Sequence, residues 1–282
     1  MIYRILTIAL FSSLFVIISA FCGVEYVNTE AAEKPSSGVY HASPDSLSQF
    51  VKYEDNLTSL INEFKEMGFD IDNLMQDPRF EIYEGIDDRF IKSAERKSRG
   101  LDEYKQILGF EHKSAKIVDF INTHYEQLEK AEKTYGISKF VISAIIGVET
   151  AFGQYIGKYN PFNAYVSMYA VDYRSDFAKA QLKHLMIFTR KNNLDVLSLK
   201  SSYAGAMSYA QFIPYSLNKW FVGNELYNMD NNILSVANYL AYFKERTGDI
   251  ETAVLRYNPS DLYRDAVLDL AEAGKKNYLA SI

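Results

Sequence analysis

The sequence predicts a mainly α-helical protein, and three observations predict it. Apolar residues recur at helical spacing in stretches far apart along the chain. Alternating apolar runs bounded by turn pairs, which mark strands, are scarce. No repeat period is evident over the 282 residues, so the chain does not read as a solenoid or a propeller. The composition, 48% hydrophobic and 15% aromatic, is ample for a buried core and too apolar for a disordered protein.

The chain opens on an export signal. Met1 to Arg4 carries one positive charge, Ile5 to Phe21 is an uncharged apolar run, and Cys22-Gly23 follows. A basic start, an apolar stretch and small residues near a cleavage point form a secretory leader, assigned here to residues 1–22. Three readings of its fate stay open. Ile18-Ser19-Ala20 fits the ordinary signal peptidase. Cys22 fits the lipid-bearing residue of a bacterial lipoprotein, although Phe21 is bulkier than the small residue usual before it. The run also sits at the short limit for an uncleaved membrane anchor. Residues 23–47 hold Pro35, Ser36, Ser37, Gly38 and Pro44 with little periodicity and read as a flexible linker.

From residue 48 to 282 helical patterns dominate, giving one domain with its catalytic core at about 130–270 and a helical subdomain before it. Leu57, Leu60, Ile61 and Phe64 share one helical face. Ile117, Phe120, Ile121 and Leu128 continue the pattern, and Ile233, Val236, Ala237, Leu240 and Phe243 repeat it late in the chain. Ser138 is a plausible N-cap for a helix running through Val141, Ile142, Ala144, Ile145, Ile146 and Val148.

Several functions are excluded or disfavoured. The net charge of −6 implies no broad basic face, so nucleic acid is not the expected partner. A single cysteine, Cys22, permits no internal disulfide and no cysteine-based zinc site. His41, His112, His124 and His184 form no His-Glu-x-x-His pair. Gly153 to Lys158 is one residue short of a phosphate-binding loop, and no Gly-x-Ser-x-Gly elbow occurs. The 22 tyrosines suit either a core with wet edges or a groove that stacks on sugars.

One residue carries the chemical argument. Ile142, Ile145, Ile146 and Glu149 share the i, i+3, i+4, i+7 spacing, so Glu149 projects from an apolar stripe. Scarce water disfavours a carboxylate and raises its pKa, as a general acid requires. The bland alternative is a Glu at a helix end, paired with a base or reaching water past Thr150. Asp172 and Asp176, the next acids after Glu149, lie in a polar stretch with Arg174 and read as a solvated face.

At this point the residues resemble a known family. Ile145-Ile146-Gly147-Val148-Glu149-Thr150 resembles the catalytic motif of the lytic murein transglycosylase B family. Leu199 to Pro214, with Ser201-Ser202-Tyr203-Ala204-Gly205-Ala206-Met207 and Gln211 inside it, is similar to that family's second block. Ser235-Val236-Ala237-Asn238-Tyr239 resembles the third. Arg256-Tyr257-Asn258-Pro259-Ser260, followed by Tyr263, resembles the last, and Tyr135-Gly136-Ile137 also fits. The resemblance implies a lysozyme-like helical catalytic domain acting on peptidoglycan glycan strands. Such enzymes cleave the MurNAc-β-1,4-GlcNAc bond without water and leave 1,6-anhydroMurNAc ends. It implies Glu149 as the single acid/base, with Ser202 and Gln211 contacting the glycan. Tyr257, Asn258 and Tyr263 would form the facing wall, and Arg174 falls near a family basic residue. No cofactor is implied. The location implied is the envelope: periplasm, with outer-membrane attachment if Cys22 is lipidated.

The chain departs from the family pattern in places. Some members carry an EF-hand-like calcium loop between the second and third blocks. Asn224 to Asn232 lacks the acidic spacing and glycine such a loop needs, so no calcium is expected there. Phe152 stands where tryptophan is common, and Ser208 and Ala210 stand where glycines are common. Gly205-Ala206-Met207 also reads as a tight helix junction, and Tyr257 and Tyr263 as core tyrosines with satisfied hydroxyls. Two other functions stay in play: a catalytically silent glycan-binding scaffold, and a water-adding muramidase, which needs a second carboxylate.

Overall fold

The computed structural model describes residues 53–95 and 100–281. The export signal at 1–22, Cys22, the linker at 23–47 and the start of the domain at 48–52 lie outside them. Thirteen α-helices and one short 3-10 helix form among the described residues, with isolated bridges and no sheet. The chain begins with α1 (Glu54–Glu66), α2 (Ile71–Met75) and α3 (Ile86–Glu95). Then come α4 (Leu101–Leu108), α5 (Phe110–Thr123), α6 (Tyr125–Tyr135) and α7 (Lys139–Thr150). Next are α8 (Pro161–Ala170), α9 (Ser175–Asn192), the 3-10 helix (Val196–Ser198) and α10 (Pro214–Trp220). The last three are α11 (Met229–Thr247), α12 (Ile250–Tyr257) and α13 (Asp261–Ser281).

Two helices are buried on nearly every side, and the rest pack round them. Val141 to Gly147 on α7 are all buried, as are Pro161 to Met168 on α8. A helix apolar all round belongs in a core, because no face of it gains from water. Helices α5, α6, α11 and α13 pack on α7, while α1, α3 and α9 pack on α8. Helix α10 touches both α9 and α11 and so joins the groups. The helices before residue 130 are therefore divided: α1 and α3 lie against α8, whereas α4 and α5 lie against α13.

Local chemistry sets the helix limits. Ser138 caps α7 as expected, its hydroxyl accepting from Phe140 N at 3.3 Å. Asn160 accepts from Asn163 N at 3.1 Å, and Pro161 follows at a position where its missing N–H costs nothing. Leu57, Leu60 and Phe64 are fully buried on α1, and Ile233, Val236, Ala237 and Leu240 on α11. One expected continuity fails. His124 leaves the helical region at φ −113°, so Leu128 belongs to α6 and not to the helix of Ile117, Phe120 and Ile121. The Asn122-Thr123-His124 run has weak helix propensity, which permits the break.

The second sequence block is a junction between helices, built from turns rather than helix. Single antiparallel bridges pair Tyr159 with Ser201, Ser201 with Met207, and Met207 with Phe212. Gly157, at φ +93°, lies so close to this block that an added Cβ would meet Ser201 O at 2.1 Å. Only glycine fits there.

Candidate active site

Glu149 sits in the last turn of α7, one residue before Thr150 ends the helix. Its stripe neighbours Ile142, Ile145 and Ile146 have no exposed surface, while Glu149 itself is half-buried and reaches a cleft. That cleft is narrow, with an open volume of about 30 Å³. Glu149 and Gln211 share it with Tyr239 and Tyr257, and Phe212, Ile213 and Ser216 complete its lining. Glu149 is the one acid in that lining.

Two influences of opposite sign act on Glu149. Burial, the larger, raises its pKa because the carboxylate loses water. A hydrogen bond from the Tyr263 hydroxyl, 2.5 Å from Oε1, lowers it by favouring the charged form. The outcome is a carboxyl pushed up to about 7. Asp172 and Asp176 are exposed, and Ser175 bonds the Asp172 carboxylate, so this face is solvated as expected.

The residue after Glu149 ties the acid to the Gln211 turn. Thr150 Oγ1 donates to Tyr209 O at 3.0 Å and accepts from Gly153 N at 3.1 Å. Ala151 and Phe152 then take left-handed backbone, folding the Phe152 ring back over Gly147. An added Cβ at Gly147 would lie 2.7 Å from that ring, so glycine makes room for it. Phe152 also packs on Phe120 at 5.1 Å.

The structure brings four of the expected site residues together. Glu149, Gln211 and Tyr257 line the cleft, and Tyr263 bonds Glu149 from beneath. Both tyrosines are also buried with satisfied hydroxyls, since Tyr257 donates to Ala210 O at 2.5 Å. Asn258 is buried at the end of α12, next to Tyr257. Ser202 and Arg174 do not line this cleft. The Ser202 hydroxyl accepts from Ala206 N at 3.2 Å within its own turn. Arg174 lies over the Phe177 ring at 4.2 Å and its charge bears on Tyr165, whose hydroxyl donates to Gly205 O.

Three contributors escaped the sequence reading. Tyr239 is core, in contact with Trp220, Phe212 and Tyr257, and it also walls the cleft. Its place in the third block was the available signal. Thr150 and Asn232 anchor the Gln211 turn; Thr150 closes the first family block, while nothing in the local pattern marks Asn232. The Asn224–Asn232 stretch uses its amides on backbone: Asn228 caps α11, and Asn231 Nδ2 donates to Glu225 O at 3.2 Å. No group of three metal-ligating side chains occurs among the described residues. A larger hollow of about 360 Å³ lies at the opposite end of α7, lined by Glu132, Ser138 and Lys244 among others. At 1.5 Å per residue it is about 16 Å from Glu149, too far to serve it.

Fold and site together define a lysozyme-like helical domain built round one glutamic acid. Residues 53–250 match the family described as the transglycosylase SLT domain, and the chain belongs to that family. Over 131 residues it is 31% identical to membrane-bound lytic murein transglycosylase B of Escherichia coli K12. That match covers 45% of this chain and 36% of the relative, so it spans little more than a third of the relative's length. The fold is similar to Escherichia coli lytic transglycosylase Slt35, solved with bulgecin A, at a TM-score of 0.68 and 20% identity. That match covers 81% of this chain and 94% of Slt35. It is also similar to soluble lytic transglycosylase SltB1 of Pseudomonas aeruginosa, at 0.69 and 24%, covering 79% and 99%. SltB3 of the same organism, solved with NAG-anhNAM-pentapeptide, matches at 0.67 and 18% identity, covering 79% of each chain.

Proposed function

We propose that the chain is an exported lytic transglycosylase that cleaves the MurNAc-β-1,4-GlcNAc bond of peptidoglycan to give 1,6-anhydroMurNAc ends. The observation that carries this reading is Glu149: an acid near pKa 7, facing a cleft with no second carboxylate in its lining. Protonated Glu149 gives its proton to the glycosidic oxygen as the C1–O bond breaks. The resulting carboxylate takes the proton of the sugar's own 6-hydroxyl. That oxygen then bonds C1, the anhydro ring closes, and Glu149 is again protonated. One group near neutrality can serve both steps. Positive charge developing at C1 is met by the substrate's N-acetyl group, a role drawn from the family resemblance.

Family membership supports the reaction class, and the relative in Escherichia coli is named as a lytic murein transglycosylase. The hydrolytic alternative needs a second carboxylate to activate water or the sugar, and the cleft lining offers none. Gln211 and Tyr257 orient the glycan beside Glu149, and Tyr263 orients Glu149 itself. Roles for Ser202, Asn258 and Arg174 in holding the glycan are drawn from the family resemblance. The leader at 1–22 directs the chain to the periplasm, and a lipidated Cys22 would hold it at the outer membrane. No helix among the described residues is long and apolar enough to cross a membrane.

Purified sacculi incubated with the mature domain test the reading, with mass spectrometry of the released fragments. Anhydro-ended muropeptides are expected. Reducing ends would replace the reading with a hydrolase, and no release would replace it with a binding protein.

A further inference from the structure

We propose that Asn232, on α11 and outside the cleft, is a positioning residue that acts through Gln211. The proposal rests on the transglycosylase reading above. Asn232 has no exposed surface. Its amide is fully engaged: Oδ1 accepts from Ala210 N at 3.1 Å, and Nδ2 donates to Leu226 O at 2.9 Å and Asn228 O at 2.7 Å. A buried amide costs free energy unless so satisfied. An apolar residue would fill this interior position without that demand, so the amide marks a requirement for its bonds.

That requirement lies in the Gln211 turn. Ser208 at φ +66° and Gln211 at φ +49° are both left-handed without being glycine. Such residues are strained and persist only where the surroundings hold them. Glycines would relieve part of that strain at Ser208, so this chain needs stronger anchors. The anchors come from three helices. Thr150 of α7 holds Tyr209 O, Tyr257 of α12 holds Ala210 O, and Asn232 of α11 holds Ala210 N. Thr150 and Tyr257 stand at the cleft or beside its acid; Asn232 stands behind it. With Asn232 gone, the Ala210 N–H keeps only the longer contact to Ser208 Oγ at 3.3 Å, and the Tyr209–Ala210 peptide is held mainly from its carbonyl side, by Thr150. Gln211, whose Nε2 donates to Ser208 O of the same turn at 3.0 Å, then shifts with that turn relative to Glu149.

The test is a double-mutant cycle on glycan release. Asn232→Ala is expected to lower kcat/KM about tenfold, the scale of a small misplacement at a site. In a Gln211→Ala background the same change should cost less than about twofold, because the residue it acts through is gone. The loss in thermal stability should be equal in both backgrounds. The alkaline limb of the pH profile should stay in place, since Glu149 keeps its own surroundings. Asn232→Ser, which keeps a hydroxyl near the α11 backbone but falls short of Ala210, gives a second route if the alanine variant does not fold. An equal kinetic loss with and without Gln211, or none in either, overturns the role of Asn232. A wild-type chain that releases nothing overturns the underlying reading instead.

Discussion

The Tyr263 hydroxyl donates to Glu149 Oε1 at 2.5 Å from a ring with no exposed surface. The bond does two things at once. It fixes the carboxyl at the end of α7 by reaching across from α13. It also opposes the burial that would otherwise leave Glu149 too reluctant to ionise. An acid that must give a proton in one step and take one in the next needs both forms within reach.

Removing that hydroxyl should move the pH profile in a defined direction. Tyr263 lowers the pKa of Glu149, so Tyr263→Phe raises it further. Activity that depends on protonated Glu149 falls as pH rises through about 7 in the parent chain. In the variant this alkaline limb should lie at higher pH, with kcat reduced about tenfold because the carboxylate of the second step loses its donor. Release rates from sacculi between acid and alkaline pH check it. A limb that stays fixed or moves to lower pH contradicts the assignment.

Glu149→Gln separates activity from stability. Release should fall by about 10²–10⁴-fold, the usual worth of a proton-transfer group, while glycan binding persists. Stability should change the other way. The unfolded carboxyl loses its proton near its ordinary value of 4.5, and the folded one near 7. The stability tied to the protonated form is full below the lower value and is lost as pH rises through the upper one. Glutamine mimics the protonated form at every pH. Its gain over the parent should be absent at low pH, grow between these values and level off near ~3 kcal/mol. Denaturant melts on either side of the window measure it.

What the sequence made legible here was local. The stripe of Ile142, Ile145 and Ile146 and the Ser138 cap place Glu149 correctly, because helical spacing and capping act within a few residues. The tyrosine wall came through family resemblance, since nothing about Tyr257 or Tyr263 alone separates a core ring from a working one. The anchors of the Gln211 turn were not legible. Thr150 and Tyr209 are 59 residues apart, and Asn232 and Ala210 are 22 apart. Such bonds exist only once α7 and α11 are packed. The break at His124 was hidden for a related reason: Ile117 and Leu128 both reach full burial, but on separate helices.

Gly147 and Phe152 form a matched pair, and the match can be tested by breaking and restoring it. Gly147→Ala would place a Cβ at 2.7 Å from the Phe152 ring, between α7 and Phe120. The ring must shift, which should cost about 1–3 kcal/mol as an overpacked core does. Adding Phe152→Leu should recover most of the loss by removing the ring edge. Thermal unfolding of the two variants decides it. Equal melting temperatures for Gly147→Ala and the parent would mean that the ring yields freely.

Tyr257→Phe isolates the last anchor of the Gln211 turn. Its hydroxyl donates to Ala210 O at 2.5 Å in a buried setting, while its ring packs on Phe212 and Tyr239. Phenylalanine keeps the ring and removes the donor, so the Ala210 carbonyl is left without its partner. A buried acceptor stranded in this way costs about 1–3 kcal/mol. Losing it should also loosen the turn, raising KM for glycan as Gln211 samples other positions. The pH dependence should shift little, because Tyr257 bonds backbone and Tyr263 still holds the acid. A sugar contact by the same hydroxyl would produce the kinetic loss without the stability loss. Melting and kinetics measured on one variant therefore separate an anchor from a ligand contact.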